Sequence, residues 1–435
     1  MQTRSVALPA VFGLGLLGLL LHAKAASAQT APSPLSLHEC IQLALASHSS
    51  VVVARTQADI ASLGVSQAQA ALRPQARLAG AFTYNSPLAA DTSLPSFVAL
   101  NGVREYLTVA SATQELDTSG RLRASRARAE ADRATAEASL GIAERDLKRQ
   151  VAGAYYRALL TRHLAAASRD AQAESAAFEA RTKLLFDEGE AARADVVKAA
   201  SQTAFLSQSV MAADLDAEVA RHELLSFWTS DVDAPITLED SLDEPPPAPP
   251  SPSPDDAAPF LRRPEFGLLD AQRDGFLAAS KRARAERRPQ ANLMLQYGID
   301  SLRLDSHDRG WAAFVTLDVP VFDWSAGKNA SRQFQLQAEQ VEATRKGNER
   351  AFARDYQDAV SRARLTHAQI ETTRTQVTLS EENLRLSRIR YDGGEGPALD
   401  VVAAQAQLAQ ARANLYTAHA RYLESRADLE LAAGR

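Results

Sequence analysis

The chain has 435 residues, of which 46% are apolar and only 6% aromatic, and its net charge is −5. This composition favours long helices over bulky globular cores and offers no basic surplus of the kind that nucleic-acid binding requires. The eight histidines and the single cysteine show no metal-ligand spacing, and there is no phosphate-binding loop or nucleophile elbow. We therefore expect no enzymatic activity, cofactor or metal.

Residues 1–28 have the pattern of a removable export signal, with Arg4, an apolar run and the small residues Ala26-Ser27-Ala28. A membrane anchor is the alternative, but the run is short for a span of about 20 residues. No later segment has the apolar length of a transmembrane helix, so any entry into a membrane would have to use strands. Cys40 lacks the small apolar residues that precede a lipid-modified cysteine, and we expect no lipid anchor.

Residues 29–240 form the first of two predicted structural repeats. Its first predicted helix begins with a capping box at Ser36 and Glu39. The predicted elements are a helix over Ser36–Leu72, strands over Leu78–Tyr84 and Tyr106–Leu116, and a helix over Gly120–Phe186. This last helix contains about 65 residues and would span roughly 100 Å, so it must pack beside other helices.

A proline-rich segment, assigned to residues 241–256, separates the two repeats. Its prolines leave few backbone donors and fix φ, so the segment must run extended. We interpret it as a plain linker, with a ligand for a proline-binding domain as the alternative.

Residues 257–435 form the second predicted repeat, with strands over Leu293–Tyr297 and Trp311–Val321 and a long helix over Gly327–Tyr391. The second strand alternates between an apolar face and a face carrying Thr316 and Asp318. Its length suits a tilted membrane strand of about 9 to 11 residues. The alternative is a two-stranded sheet packed on soluble helices.

Sequence matches in the same order support the duplication. Leu72–Leu78 recurs as Arg287–Leu293 with five of seven residues identical, both copies containing Arg-Pro-Gln. Leu116–Arg121 recurs loosely as Phe322–Lys328, where an aspartate is followed by a glycine. Such internal repetition indicates that one structural unit is present twice.

The strongest match lies between the long helices, where Phe186–Val197 and Tyr391–Val402 share six of twelve residues. Gly189 and Gly394 can take the left-handed conformation that ends a helix. Asp195 and Asp400 can accept backbone N–H groups where the next helix begins. We therefore predict a helical hairpin in each repeat.

The helix that returns from each hairpin carries a heptad pattern. Large residues recur every seven positions in the second copy, at Val401, Leu408, Leu415, Tyr422 and Leu429, and the spacing is kept in the first, at Val196, Thr203, Val210, Ala217 and Leu224. Small residues, mostly alanine, lie three positions after each large residue of the second copy. This seam predicts close coiled-coil packing.

The duplicated order, the Arg-Pro-Gln and Asp…Gly motifs and the two hairpin turns resemble the TolC family of outer-membrane efflux proteins. The resemblance implies a mainly α fold with a small β part: long coiled-coil helices of a homotrimer form an α-barrel across the periplasm. Four strands per protomer contribute to a twelve-stranded β-barrel in outer-membrane lipid. Open strand edges are not tolerated in lipid, so spanning strands would themselves require an oligomer.

The resemblance also implies site residues. The tips near Gly189 and Gly394 would meet a periplasmic adaptor, Asp400 would line a closed aperture, and Tyr391 would be tied to Asp195 between neighbouring coils. The alternative for both aspartates is a helix cap alone. We further expect interface aromatics at the membrane, namely Trp311, Trp324, Tyr297 and Phe322.

The expected function is a passive outer-membrane exit duct of a tripartite efflux or type I secretion system, with its helices in the periplasm. It would work with an adaptor and an inner-membrane pump, and its cargo could be a drug, a metal or a protein. The alternatives are an adaptor-like protein or a structural coiled coil without a channel.

Overall fold

A computed structural model of the chain describes residues 34–87, 103–249, 258–303 and 305–434. The predicted export signal lies outside these ranges, as do residues 250–256 of the predicted linker. The main elements are α1 (Leu37–Ser47), α2 (Ser49–Ala70), β1 (Gln75–Tyr84), β2 (Arg104–Leu116), α3 (Arg121–Asp187), α4 (Arg193–Leu225), α5 (Pro264–Ala285), β3 (Gln290–Ser301), β4 (Arg309–Asp318), α6 (Ala326–Asp392) and α7 (Ala398–Ala432). No helix within these ranges combines the length and the apolarity needed to cross a membrane.

The order of elements is the same in both halves, which confirms the predicted duplication. Each half begins with shorter helices, α1 and α2 in the first and α5 in the second. Two strands, a helix of 67 residues, a tight turn and a returning helix follow. At 1.5 Å per residue, α3 and α6 each extend about 100 Å. The helices pack mainly as the pairs α3 with α4 and α6 with α7, and α3 also packs against α5, α2 and α7.

The first helix differs from the prediction because it is broken at His48. The capping box of Ser36 and Glu39 is present, but His48 takes an extended conformation, with φ −67° and ψ 130°. Its imidazole accepts a hydrogen bond from the Ser50 amide at 3.4 Å, and its ring lies 5.7 Å from that of Phe227. The histidine therefore ends α1 and caps α2, a role that hydrophobic periodicity does not reveal.

The glutamine of each Arg-Pro-Gln motif has a structural role at a helix end. The side-chain amide of Gln75 donates to the carbonyl of Ala70, the last residue of α2, at 2.8 Å. Gln290 donates in the same way to Ala285, the last residue of α5, at 2.9 Å. Each glutamine satisfies a carbonyl that the helix leaves unpaired, immediately before a strand begins.

The four strands form one antiparallel sheet in the order β1-β2-β3-β4, so β1 and β4 are its edges within the protomer. All four helix–strand junctions lie at one end of the sheet, since Gln75 pairs with Thr113 and Gln290 with Asp318. Strand β4 ends at Asp318 and not at Val321 as predicted. Pro320 lacks the N–H that a longer ladder would use.

The largest buried cluster joins α1, α2, α3 and α4 around Tyr155 and Leu224. The segment after α4, residues 238–247, lies across α3 and α7, and we call it the strap. The Tyr155 hydroxyl donates to Asp240 of the strap at 2.6 Å. At the start of α5, burial alone would raise the pKa of Glu265, but hydrogen bonds from Arg145 and Arg263 outweigh it and lower that pKa to about 2.

Candidate functional site

The two helical tips have the same backbone design. Gly189 has φ +83° and Gly394 has φ +72°, as the sequence predicted. In the first tip the amide of Glu190 donates to the carbonyl of Leu185 at 2.8 Å. In the second tip Glu395 donates in the same way to Arg390 at 2.8 Å. Both are Schellman-type ends, in which glycine takes the left-handed position at no steric cost.

The predicted capping role of Asp195 and Asp400 is wrong. Helix α4 begins after Ala192 and α7 begins after Pro397. These two residues occupy the capping positions, and neither makes a side-chain hydrogen bond. Each aspartate is the third residue of its helix, where a carboxylate is still favoured by the helix dipole. Asp400 lies 3.8 Å from Arg390, and this exposed pair contributes little to stability.

Tyr391 does not bond to Asp195 in this protomer, contrary to what the resemblance implied. Its side chain is 9% exposed, and its ring lies 5.2 Å from that of Phe178 in an edge-on arrangement. Its hydroxyl donates to Thr182 at 3.4 Å. Tyr391 therefore attaches the end of α6 to α3 within one chain.

A charged network next to Tyr391 was not predicted. Glu174 of α3 contacts Arg388 of α6 and Arg412 of α7, each at 3.4 Å. Arg181 of α3 also lies 3.7 Å from Asp392 at the end of α6. These pairs are more than 200 positions apart in the chain, so no local pattern indicates them. Glu174, Phe178, Arg181, Arg388 and Tyr391 are among the residues that line a cavity of about 250 Å³.

The sheet has one apolar face that none of the described residues covers. The register places Tyr297 of β3 opposite Trp311 of β4, and both are exposed. Phe322 and Trp324 follow β4 and are 70% and 86% exposed, with ring centroids 4.5 Å apart. An uncovered apolar surface of this kind marks contact with a membrane or another protein.

One cluster in the described part of the chain has ligands that could suit a metal ion: Glu218, His222 and Asp233. The His222 Nε2 atom lies 3.2 Å from Asp233 and 3.9 Å from Glu218. However, a guanidinium nitrogen of Arg221 lies 3.2 Å from the same imidazole nitrogen. This positive charge opposes a bound cation, and we assign no metal to the cluster.

The arrangement of two long helical hairpins on a small antiparallel sheet with an exposed apolar face defines a mainly α membrane-associated class. The sequence pattern of the outer membrane efflux protein family matches residues 40–228 and 260–435. The chain belongs to this family, and it is therefore an outer membrane efflux protein. A comparison with curated proteins found no match.

Solved structures of outer membrane proteins have the same fold. The chain is similar to the outer membrane protein VceC of Vibrio cholerae, with 18% identity, a TM-score of 0.78 and coverage of 92% of this chain and 96% of VceC. For the CmeC outer membrane channel of Campylobacter jejuni the identity is 15%, the TM-score 0.80 and the coverage 92% and 85%. For the open-state MtrE outer membrane channel of Neisseria gonorrhoeae these values are 21%, 0.78, 92% and 88%.

Proposed function

We propose that this protein is the passive, homotrimeric exit duct of a tripartite efflux or type I secretion system. Its sheet lies in the outer membrane and its helices lie in the periplasm, where the tips receive an adaptor that is coupled to an inner-membrane pump. One observation carries this proposal: among the described residues, the four-stranded sheet exposes an apolar face and leaves both edge strands, β1 and β4, without a partner in the protomer.

The unpaired edges support an assembly of several copies. Backbone N–H and C=O groups at an open edge are costly in lipid, and membrane barrels need at least about eight strands. Four strands per protomer cannot meet this requirement, whereas three copies supply twelve. Each β1 would then pair with β4 of a neighbouring copy.

Exposed apolar side chains on the helices support the same assembly. Helix α4 exposes Phe205, Met211, Leu215 and Val219, and α2 exposes Val53, Ile60 and Leu63. These residues lie along helices that the protomer covers on one side only. Neighbouring copies in a helical barrel would bury them and gain about 25 cal/mol per Å² of apolar surface.

The tips are where we place the gate and the docking site. In a trimer, three Asp400 carboxylates around a narrow axis would repel one another and attract cations. Tyr391 supports closure by holding α6 against α3 through Phe178 and Thr182. The exposed turns at Gly189 and Gly394 provide the surface for the adaptor.

The test combines oligomeric mass and conductance. The mature protein is extracted in detergent and its mass is measured, and the same sample is then recorded in a planar bilayer. We expect a trimer of low conductance that conducts more after Asp400→Ala. Glu190→Ala, an exposed carboxylate removed from the first tip, is the matched control and should leave conductance unchanged.

The outcomes separate the parts of the proposal. A water-soluble monomer that needs no detergent would refute the duct and favour an adaptor-like or structural coiled-coil protein. A trimeric channel with the same conductance before and after Asp400→Ala would retain the duct and refute the gate.

A further inference from the structure

The helix–strand junctions carry an unusual concentration of positive charge. The protein as a whole has a net charge of −5. The four junction segments contain thirteen Arg and Lys residues and four Asp and Glu residues: residues 73–77, 115–128, 281–288 and 323–332. Seven of these arginines pair with carboxylates, three of which lie just outside the segments. Because all four junctions lie at the same end of the sheet, we call their basic residues the basic collar.

Several collar charges are not neutralised within the protomer. Lys281 and Lys328 are exposed and contact no carboxylate in the ranges that the structure describes. Arg288 donates to the backbone carbonyl of Ser119 at 3.4 Å, which orients its guanidinium without cancelling its charge. Arg284 donates to the Ser331 hydroxyl at 2.9 Å. These groups remain available to an anion outside the protomer.

The collar lies directly beside the exposed aromatic pair. Asp323 accepts hydrogen bonds from the amides of Ser325 and Gly327, and this turn holds Trp324 at φ +50°. A Cβ on Gly327 would lie 2.6 Å from the side chain of Arg287. The glycine therefore lets Arg287 cross the start of α6, where it pairs with Asp323 at 3.1 Å.

We propose that the basic collar binds the phosphate headgroups of anionic phospholipids in the periplasm-facing leaflet of the outer membrane. This inference rests on the proposed membrane position of the sheet. If the apolar face contacts hydrocarbon, then Phe322 and Trp324 lie at the interface, where aromatic side chains are favoured. The collar then lies at headgroup depth, and its guanidinium and ammonium groups match phosphodiester oxygens in charge and geometry.

An acidic protein surface is the competing partner for a band of this charge. The lipid is favoured because the charges follow all four junctions around the base of the sheet. They also adjoin side chains, Val321 and Trp324, that are almost fully exposed and apolar. A protein partner does not require basic side chains at all four junctions beside such exposed apolar side chains, whereas a lipid leaflet does.

The experiment uses Trp324 as a local reporter. The full mature protein carrying Trp228→Phe and Trp311→Phe is reconstituted into phosphatidylcholine vesicles. These vesicles contain equal mole fractions of either brominated phosphatidylglycerol or brominated phosphatidylcholine, which quench nearby tryptophan. We expect the anionic lipid to quench Trp324 at least about twofold more strongly, and the preference to disappear in about 1 M salt, where charges are screened beyond about 3 Å.

Lys281→Gln, Arg288→Gln and Lys328→Gln together should abolish the preference. The matched control replaces three exposed cations further along α6, Lys346→Gln, Arg350→Gln and Arg364→Gln, and should preserve it. Circular dichroism and oligomeric mass establish that each variant is folded and assembled.

Each result has a distinct meaning. Equal quenching by the two lipids, or a preference that survives the collar substitutions, would overturn the lipid proposal and leave the exit duct standing. No quenching of Trp324 by either lipid would show that the sheet end is outside the bilayer and would refute the proposed function as well.

Discussion

The returning helices α4 and α7 share a heptad spacing but differ in burial. In α7 the large residues Val401, Leu408, Tyr422 and Leu429 are buried, and so are the alanines three positions after Val401 and Leu408. In α4 only Leu224 of the corresponding residues is buried, and the rest are partly exposed. Similar sequence patterns therefore produce one helix inside the protomer and one at its boundary.

The strap accounts for part of this difference. Tyr416 and His419 of α7 bond to strap residues Asp243 and Leu242, at 3.2 and 2.6 Å, and Tyr422 bonds to the Pro247 carbonyl. The corresponding positions of α4 are Met211, Asp214 and Ala217, which cannot make this set of bonds. Helix α7 is covered by its own chain, whereas α4 exposes an apolar surface that the proposed neighbouring copy would cover.

The largest expected effect comes from a matched pair of leucine substitutions. Leu408→Ala opens a cavity in the buried seam of α7 and should lower the free energy of unfolding by about 2–5 kcal/mol. Leu215→Ala removes the same atoms from a position of α4 that is exposed within the protomer, and in the dissociated protomer it should change the free energy of unfolding by less than about 0.5 kcal/mol. Denaturant unfolding of dissociated protomers, obtained in the Phe205→Glu background described next, measures both. Equal losses would contradict the assignment of α4 to the boundary.

Trimer assembly, unlike the stability of the protomer, should depend on the exposed face of α4. Phe205→Glu places a charge in the exposed apolar stripe of α4, and we expect the trimer to dissociate into folded protomers because burying an unpaired carboxylate is unfavourable. Mass measurement in detergent detects the loss, and circular dichroism tests whether helicity is kept. Ser230→Glu, which adds the same charge at an exposed polar position beyond the end of α4, is the control. A trimer that withstands Phe205→Glu would place the subunit contact elsewhere.

The strap should loosen on acidification. His163 accepts a hydrogen bond from the Leu242 amide at 3.3 Å, and His419 donates to the Leu242 carbonyl. Burial lowers the pKa of both histidines below 6.5. The carboxylate of Asp243 partly offsets this lowering for His163, and the hydrogen bond to Leu242 partly offsets it for His419. The released strap therefore binds more protons than the docked strap, and docking weakens as the pH falls below 6.5.

Hydrogen exchange at the Leu242 amide measures this release, after correction for the intrinsic effect of pH. We expect protection to decrease from about pH 7.5 to about pH 5.5, on either side of the ordinary histidine pKa of about 6.5. Amides in the middle of α4 provide the comparison, since no buried histidine faces them in the described structure. Constant protection at Leu242 would rule out the histidines as the cause.

The smallest effect is expected at the tips. Tyr391→Phe removes only the hydroxyl that donates to Thr182 and should cost about 0.5–1.5 kcal/mol. Phe186, the matching residue of the first tip, is 40% exposed, and Phe186→Leu should cost less. Thermal unfolding of the two variants ranks them. A larger loss from Phe186→Leu would show that the first tip is the more firmly attached one.

The features that were predictable from sequence are those with local causes. Long proline-free segments predicted the helices, alternation predicted β3 and β4, and Gly189 and Gly394 predicted the turns, since each depends on residues close in the chain. The capping prediction failed because each aspartate is the third residue of its helix. Two helical residues therefore separate Asp195 and Asp400 from the capping positions, Ala192 and Pro397. A one-turn shift cannot be read from residue type alone.

The remaining features depend on contacts between distant segments. Pairing of Glu174 with Arg388 and Arg412 requires three helices to be placed side by side. The choice of Thr182 as the partner of Tyr391 requires the pairing of two, α3 and α6. The His48 ring at the break also contacts Phe227, which lies far along the chain. The repeat also misled in one respect: Gly120 precedes α3 in a left-handed conformation, whereas its predicted counterpart Gly327 lies inside α6.

The equal lengths of α3 and α6, 67 residues each, set the distance between the sheet and both tips. One additional heptad in α3 alone would displace its tip by about 10 Å relative to that of α6. Helix α4, which returns from that tip, would also lose its heptad register with the helices that it packs against. A change in reach therefore requires matching insertions in α3, α4, α6 and α7, so the length of this protein can evolve only in coordinated steps.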